Sequence, residues 1–252
     1  FFFEEIFRNN PYLTRSNELE SAGPWIDLEQ IQTGKKDQSN QRIIWDVGLT
    51  PVRGDLFFES SELTFAKSRL QVAIDSFKRH SNKPPENIVF IAPIATAQRV
   101  INGEKTSYSH AKNKEWPIRH WRQLISRLEH SLFIMTGPEE YRDLAPAGSH
   151  FVETSFRQAC AILSLCDLFV GIEGGLHHAA AALHKPGIVF FGHWNSPEIT
   201  GYGIHFNLQK KDAPGFHGCG SLNECPACRK WLEDLSPVFV QSLMEVAMTP
   251  RR

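Results

Sequence analysis

The sequence has no excess of charge of either sign. Its 27 lysine and arginine residues are balanced by 28 aspartate and glutamate residues. A protein that binds nucleic acid over a broad surface needs a basic face, because counterion release from the phosphates supplies most of the non-specific affinity. The composition therefore argues against nucleic acid as a partner, and any phosphate group is expected to be recognised locally.

Long apolar runs are also missing. A helix that crosses a bilayer needs about 20 consecutive apolar residues, and no stretch of this sequence approaches that length. The hydrophobic fraction of 41% and the charged fraction of 22% are typical of a soluble globular protein. The sequence therefore predicts a protein without membrane-spanning helices.

Cysteine is scarce, and the five cysteines form an odd number. An odd count in a composition of this kind does not favour a disulfide framework. Cys160 and Cys166 fall within a helical pattern. We expect both to be small buried side chains, because a thiol that binds nothing behaves as a small hydrophobe.

The other three cysteines are close together near the end of the chain. Cys225 and Cys228 form a C-x-x-C pair, and Cys219 precedes them by six positions. This spacing is typical of thiolate sites for zinc or iron, and His217 is a candidate fourth ligand. We predict a structural metal ion here. The alternatives are a redox-active pair and plain buried thiols.

From residue 87 onwards, short apolar runs alternate with segments of helical periodicity. The runs that predict buried strands are residues 88–92, 132–136, 151–152, 168–172 and 188–191. The segments between them place apolar residues at helical spacing. Such an alternation predicts an α/β fold in which helices cover both faces of a parallel sheet, joined by right-handed crossovers.

The first third of the sequence is less regular. A strand is predicted at residues 43–47 and an amphipathic helix at residues 62–79. Residues 81–86 contain two consecutive prolines and are the best candidate for a linker. We therefore expect two domains, formed by residues 1–82 and 83–252.

The most informative stretch is residues 167–192. A predicted strand meets Glu173, Gly174 and Gly175, and an alanine-rich helix follows at residues 176–184. Unpaired backbone N–H groups at such a helix start suit a phosphate, and glycines let a ligand approach the backbone. Glu173 would lie at the carboxyl end of the strand, where open parallel sheets bind ligands. A plain tight turn is the alternative.

Three ordered segments resemble glycosyltransferase family 9, the lipopolysaccharide heptosyltransferases. Residues 113–117, with Trp121 after them, look like the K-x-W-P…W motif of that family. Residues 170–183 are similar to its V-G-x-D-T-G-L-x-H-x-A-A-A-L motif, and residues 196–202 resemble the loop after the next strand. The resemblance extends over about residues 88–208. It implies the GT-B architecture, in which two Rossmann-like domains with parallel sheets flank a cleft, here with a truncated first domain.

The resemblance also implies an activity. Such an enzyme moves heptose or a related sugar from a nucleotide-sugar donor, such as ADP-heptose, to lipopolysaccharide or another glycan acceptor, with inversion and with no other cofactor. Residues 1–82 would be the remnant of the acceptor-side domain with a linker helix, and residues 83–252 would form the donor domain. The implied location is the bacterial cytoplasm, which allows peripheral contact with the inner face of the membrane.

Three donor contacts implied by the resemblance come from separate loops. Lys114 would contact the donor phosphate or sugar, Glu139 would accept a hydrogen bond from a ribose hydroxyl, and Thr154 would lie near the base. A solvated surface lysine is the alternative for Lys114, since a lone lysine is most often exposed. Glu139 could also simply favour the N-terminal end of a helix.

The remaining implied contacts lie in the glycine turn. Gly174, Gly175 and Leu176 would offer backbone N–H groups to the diphosphate. Glu173 stands where the family usually has aspartate and would accept hydrogen bonds from sugar hydroxyls. His178 matches the family histidine at the helix start. Gly174 also replaces a usual threonine. These two replacements argue that the sugar need not be heptose itself, so heptose or a related sugar is expected.

The aspartate that serves as the family's general base lies in an N-terminal glycine-rich loop that has no counterpart here. Residues 1–12 resemble a segment some tens of residues further along, so the base is expected upstream of Phe1. Asp46 and Asp55 do not lie in a matching motif. Two other functions stay open: an enzyme like the nucleotide-sugar 2-epimerases, and a non-catalytic module that binds a nucleotide or glycan.

Overall fold

The computed structural model describes residues 34–37, 39, 42–45, 52–95, 98–101, 104–107, 112–192, 194–210 and 218–249. The strands are β1 (Gly34–Asp37), β2 (Arg42–Trp45), β3 (Asn87–Ala92), β4 (Gln98–Ile101), β5 (Glu104–Ser107), β6 (Ser131–Gly137), β7 (His150–Glu153), β8 (Leu168–Ile172), β9 (Gly187–Gly192) and β10 (His205–Gln209). The α-helices are α1 (Ser60–Ser81), α2 (Ile118–Arg127), α3 (Phe156–Leu163), α4 (Gly175–Ala182), α5 (Pro197–Thr200), α6 (Pro226–Asp234) and α7 (Pro237–Met248). A short 3₁₀ helix spans Glu139–Leu144.

Six strands form one sheet in the order β10-β9-β8-β3-β6-β7. Every neighbouring pair in it is parallel. The chain builds outwards from β3 through β6 and β7, and then returns to the other side of β3 with β8. This order places a topological switch point between β3 and β8. The predicted α/β fold with a parallel sheet is confirmed.

Different helices cover the two faces of the sheet. Phe169 and Val189 face the core beneath α1, α3 and α4, whereas Val170 and Phe190 face the core beneath α2, α6 and α7. Because both faces are buried, the central strands are continuous apolar runs rather than alternating ones. Each large apolar side chain that is fully buried stabilises the fold by about 1.5–3 kcal/mol.

Helix α1 packs against the sheet rather than standing apart from it. Its buried residues Ala66, Leu70 and Ala73 belong to the same core as α3. The side chain of Arg157 in α3 also binds the Glu62 carboxylate of α1. The domain boundary after residue 82 stays a prediction. Helix α1 precedes this boundary in the sequence but packs on the sheet that follows it.

Strands β4 and β5 and helix α6 were not predicted. The antiparallel strands β4 and β5 lie in the polar stretch of residues 95–113, and α6 lies in the segment that contains the three clustered cysteines. Asn102-Gly103, which separates the two strands in the sequence, is a common hairpin dipeptide, but the polar residues around it hide the strand pattern. In α6 only Cys228 and Leu232 are buried, so its apolar stripe is too short to indicate a helix.

None of the helices within the described ranges has both the length and the apolar character that crossing a membrane requires.

Candidate functional site

A cavity of about 470 Å³ lies at the carboxyl edge of the sheet. The loops that follow β3, β6, β7 and β8 meet there, and they contribute Pro93, Ile94, Ala95, Pro138, Thr154, Ser155, Glu173 and Gly174 to its wall. Because β3 and β8 flank the switch point, this is the position at which the sheet topology predicts a ligand. The volume suits a small molecule.

Six of the eight predicted donor contacts line this cavity, namely Lys114, Thr154, Glu173, Gly174, Gly175 and Leu176. Glu139 and His178 do not line it. Glu139 begins the 3₁₀ helix and is about half exposed, with its carboxylate oxygens 2.5 and 2.7 Å from the Arg142 guanidinium. The hydrogen bond from Arg142 lowers the pKa of Glu139.

The charged centre of the cavity is an ion pair. The Nζ atom of Lys114 contacts Oε2 of Glu173, and the two side chains are 14% and 7% exposed. The same Nζ atom lies 4.2 Å from the centre of the Trp194 ring, which is a cation–π contact. Lys114 is therefore held at the cavity wall, and the alternative of a solvated surface lysine is wrong.

The neighbouring ammonium group decides the ionisation of Glu173. Burial raises the pKa of this carboxyl, but the charge and hydrogen bond of Lys114 outweigh burial and lower the pKa to about 2. Glu173 is therefore a carboxylate at neutral pH. It can accept hydrogen bonds from hydroxyl groups, but it is a weak proton acceptor.

Helix α4 begins where β8 ends, and its first turn lines the cavity. The N-cap residue is Gly174, which has no side chain to bind the free amides of that turn. A Cβ atom at Gly175 would lie 3.1 Å from the Phe156 ring, so only glycine fits there without displacing the ring. The exposed backbone N–H groups and the helix dipole suit an anion at this point.

A cluster of histidines lies on the sheet side of α4. His177 is completely buried, and neither of its ring nitrogens has a hydrogen-bond partner among the described residues. His178 does have one, because its Nδ1 atom lies 2.8 Å from Oη of Tyr202. Burial lowers the pKa of His177 to about 3 and that of His205 to about 4, so both rings are neutral at pH 7.

Asn113 fixes the backbone that carries Lys114. Its buried side chain donates from Nδ2 to the carbonyl of Asn223 and accepts at Oδ1 from the backbone N–H of Cys225, both at 2.7 Å. At Gly192, φ is +60° and a Cβ atom would lie 2.3 Å from the Asn113 carbonyl oxygen. The end of β9 and the cysteine-containing segment therefore set the position of the lysine.

The three predicted metal ligands come together. The Sγ atoms of Cys219, Cys225 and Cys228 all lie within 4.8 Å of one another, and those of Cys219 and Cys228 are 3.1 Å apart. Tetrahedral zinc with bonds of about 2.3 Å to sulfur separates two thiolates by about 3.8 Å, so the cluster has the size of such a site. His217 lies outside the described residues.

The model of glycosyltransferase family 9 (heptosyltransferase) matches residues 53–210. The chain belongs to glycosyltransferase family 9. This match spans helix α1, the cavity loops and all three segments that carry the resemblance, and it confirms the resemblance seen in the sequence.

Relatives of this family 9 chain share part of their length with it. It is 32% identical over 114 residues to lipopolysaccharide heptosyltransferase 1 of Escherichia coli strain K12, which is 40% of this chain and 36% of that protein. The same enzyme from Escherichia coli strain RS218 gives 32% identity over 35% of its length. The fold is similar to that of E. coli ADP-heptose LPS heptosyltransferase II, with a TM-score of 0.50, 16% identity and coverage of 82% and 55% of the two chains. The chain thus spans about a third of these curated relatives and about half of the solved structure.

Several residues of the family 9 site were missed in the sequence. Trp194 supports the lysine, and Thr136 lines the cavity beside Thr154. The hydroxyls of both threonines are buried and have no hydrogen-bond partner within the described part of the chain. The position of Thr136 as the last residue of a predicted strand at the carboxyl edge was the available signal. For Trp194 there was none, because a tryptophan is more often a packing residue than a ligand contact, as the buried Trp116 and Trp121 are.

Proposed function

We propose that this chain is the donor-binding part of a glycosyltransferase. The enzyme would move heptose or a related sugar from a nucleotide-sugar donor, similar to ADP-heptose, to lipopolysaccharide or another glycan acceptor. The observation that carries the proposal is that the Lys114 ammonium and the first turn of α4 line the same cavity at the switch point of the sheet. Both groups suit a diphosphate.

The same groups would act in the transfer step. The acceptor hydroxyl attacks the anomeric carbon, the bond from that carbon to the diphosphate oxygen breaks, and the configuration inverts. Negative charge then grows on the departing nucleoside diphosphate. Lys114 and the backbone N–H groups of Gly175 and Leu176 are already in place to stabilise that charge, which is the most effective form of electrostatic catalysis. No metal ion is assigned to this step.

Glu173 is proposed to accept hydrogen bonds from the sugar hydroxyls and not to deprotonate the acceptor. A general base works best when its pKa lies near the operating pH. The pKa of about 2 and the contact with Lys114 make Glu173 unsuited to that task. The base is proposed to belong to the acceptor side of the cleft. The roles of Glu139, Thr154 and His178 towards ribose, base and donor stay proposals.

The names of the relatives support the choice of donor and acceptor. Lipopolysaccharide heptosyltransferase 1 and ADP-heptose LPS heptosyltransferase II are the matched proteins, and the chain covers only part of each. Glu173 and Gly174 replace the usual aspartate and threonine, which allows a sugar related to heptose. The proposed location is the cytoplasm, with peripheral contact at the inner face of the bacterial inner membrane, where such an acceptor would be met.

Calorimetry with ADP, UDP and GDP tests the donor site directly. At least one of them should bind, and Lys114→Met should weaken that binding about tenfold to a hundredfold, the range expected for a lost hydrogen bond to a charged group. The matched control is Lys112→Met, an exposed lysine two positions away that does not line the cavity. If none of the three nucleotides binds at millimolar concentration, the proposal is wrong.

Product analysis separates the proposed transferase from the two alternatives. The chain, with any upstream residues of the natural protein restored, is incubated with the nucleotide sugar that binds best. Free sugar or an epimer formed without acceptor would select the epimerase-like enzyme. Tight donor binding without turnover on any glycan acceptor would select the binding module. A glycosylated acceptor with inverted configuration is the expected result.

A structural metal ion, zinc or iron, belongs to the same proposal. Cys219, Cys225 and Cys228 would hold it, because their three Sγ atoms lie within 4.8 Å of one another. These cysteines do not line the donor cavity, so the ion is assigned to the structure and not to the chemistry.

A further inference from the structure

Trp194, beside which the Lys114 ammonium lies, is held by the loop of residues 218–225. The Gly220 N–H donates to the Trp194 carbonyl at 2.9 Å, and Nε1 of Trp194 donates to the Ser221 carbonyl at 2.8 Å. At Gly218, φ is +114° and a Cβ atom would lie 2.4 Å from the Trp194 carbonyl oxygen. The loop therefore follows the tryptophan backbone at a distance that only glycine permits.

The other end of this loop holds the residue before the lysine. Asn223 and Cys225 bind the two ends of the Asn113 side-chain amide. The loop thus contacts both supports of Lys114, the aromatic ring beside the ammonium and the backbone that precedes it. Residues 218–225 form no helix, and their only strand-like residue is a single bridge at Ser221. Apart from the hydrogen bonds already named and one from the Ile43 N–H to the Gly220 carbonyl, the loop therefore has little regular structure to keep it in one conformation.

Two of the three cysteines of the cluster stand in this loop, near either end of it. Cys219 and Cys225 lie six positions apart, and Cys228 follows in the first turn of α6, completely buried. We propose that the three thiolates bind one thiophilic metal ion, zinc or ferrous iron, and that this ion holds the loop so that Lys114 is positioned for a diphosphate. Affinity for the diphosphate then depends on metal occupancy at a site that does not touch the ligand.

The geometry predicts that loss of the metal ion weakens binding of the diphosphate and leaves binding of the nucleoside unchanged. Loss of the ion frees the loop, and Asn113 and Trp194 lose the partners that fix them. The diphosphate contact made by Lys114 then weakens, whereas contacts to the nucleoside, on the β6 and β7 side of the cavity, are kept. We expect ADP to bind about tenfold more weakly to the metal-free chain, with the affinity for adenosine unchanged.

The first experiment measures the metal alone. The chain is purified without chelators from cells supplied with zinc and iron, and its metal content is determined by mass spectrometry. About one equivalent per chain is expected, with loss in Cys225→Ser and Cys228→Ser and retention in the control Cys160→Ala, a buried cysteine outside the cluster. Since a serine variant can fail to fold, o-phenanthroline treatment of the wild-type chain, followed by zinc, supplies the second measurement. Absence of metal, or a disulfide between Cys219 and Cys228, overturns the proposal.

The second experiment measures the coupling, which rests on the proposed donor site. ADP and adenosine are titrated into metal-loaded chain, metal-depleted chain and the variant Asn113→Ala. Asn113 is a positioning residue, so its variant should keep the metal and lower the ratio of ADP to adenosine affinity about tenfold, a change that general destabilisation would not produce. An unchanged ratio after depletion overturns the coupling. If the loaded chain binds UDP or GDP instead of ADP, that nucleotide and its nucleoside replace ADP and adenosine in the titration. If it binds none of the three nucleoside diphosphates, the donor site is wrong, and the metal site is judged by metal content alone.

Discussion

Two buried ion pairs of this chain lie in different settings, one between two helices and the other between two loops of the cavity. Arg157 and Glu62 join α3 to α1, and their side chains are 5% and 16% exposed. Lys114 and Glu173 join two loops at the cavity, with exposures of 14% and 7%. Each pair links residues that are distant in the sequence, and burial is similar in the two.

The pairs differ in how completely their donors are used. The Arg157 guanidinium binds both carboxylate oxygens of Glu62, and its Nη2 atom also donates to the Phe57 carbonyl at 2.6 Å. For the Lys114 ammonium, which has three protons, the described contacts are one carboxylate oxygen and an aromatic face. The Arg157–Glu62 pair joins two helices, whereas the described contacts of Lys114 leave ammonium protons that the proposed diphosphate would use.

The largest expected effect is on stability and comes from breaking the ion pair between Arg157 and Glu62. Arg157→Met leaves the Glu62 carboxylate buried without its partner, which typically costs about 3–5 kcal/mol of unfolding free energy. Urea unfolding measures the loss, and nucleotide affinity of the folded fraction should not change. The control is Lys230→Gln, which removes an exposed pair with Asp234 and should cost less than about 0.5 kcal/mol. A similar cost in both variants would contradict the distinction.

Neutralising the Glu173 carboxylate should change the affinity for the sugar nucleotide more than the affinity for the nucleoside diphosphate. In Glu173→Gln the side chain keeps its shape and one acceptor oxygen, and Lys114 is released from the ion pair. We expect nucleoside diphosphate affinity within about threefold of wild type and about tenfold weaker binding of the sugar nucleotide, as expected for a lost hydrogen bond to a charged group. Competition calorimetry with the two ligands measures the split. If sugar-nucleotide affinity is unchanged while the acidic limb of the pH–rate profile, on which the rate rises with pH, disappears, Glu173 is the proton acceptor after all.

Unfolding free energy measured against pH should distinguish the buried carboxylate Glu173 from the buried imidazole His177. The folded-state pKa of Glu173, about 2, lies below its ordinary value of about 4.5, so its stabilisation is complete above pH 4.5 and is lost as the pH falls towards 2. The pKa of His177 is about 3 against an ordinary 6.5, so the unfolded chain takes up protons first and stability declines from pH 6.5 downwards.

Variants assign these two windows. Each group changes unfolding free energy by at most about 1.4 kcal/mol per pH unit. His177→Phe should make the decline between pH 6.5 and 4.5 less steep, with the part due to His205 remaining, and Glu173→Gln should change the slope only below pH 4.5. Urea midpoints measured across this range test both. A decline between pH 6.5 and 4.5 that persists unchanged in His177→Phe would show that the ring is not the group that titrates.

The smallest effect is expected at a hydroxyl in the cavity wall. Thr136→Val removes a buried oxygen that has no partner among the described residues, so unfolding free energy should stay within about 1 kcal/mol of wild type or rise. If a ligand uses the hydroxyl, nucleotide affinity should fall a few-fold. Equal stability and equal affinity would assign this threonine to packing alone.

Local patterns predicted the sheet and the glycine turn well, because their cause is local. Continuous apolar runs are required wherever a strand is buried on both faces, and helix α4 needs Gly175 because Phe156 packs against it. The environment of His177 was not predictable, because only the fold buries this side chain completely.

Long-range pairings were not predictable. Lys114 and Glu173 stand 59 positions apart, and nothing near either residue indicates its partner. The same applies to the bonds between Asn113 and the cysteine-containing loop, which span more than a hundred positions. Six of the eight donor contacts expected from the sequence line the cavity, but the contacts that orient them depend on how the sheet brings its loops together.

The strand order also has a consequence for how the chain is made. β3 is the central strand of the sheet and the first of its six to leave the ribosome, but its neighbour β8 is synthesised only after β6 and β7 are complete. Until then one apolar edge of β3 has no partner strand. The nascent chain is expected to need a chaperone during this interval, since an unpaired apolar edge favours aggregation. The cavity can close only after β8 and the residues that follow it have been made, because they form the wall opposite the loop after β3.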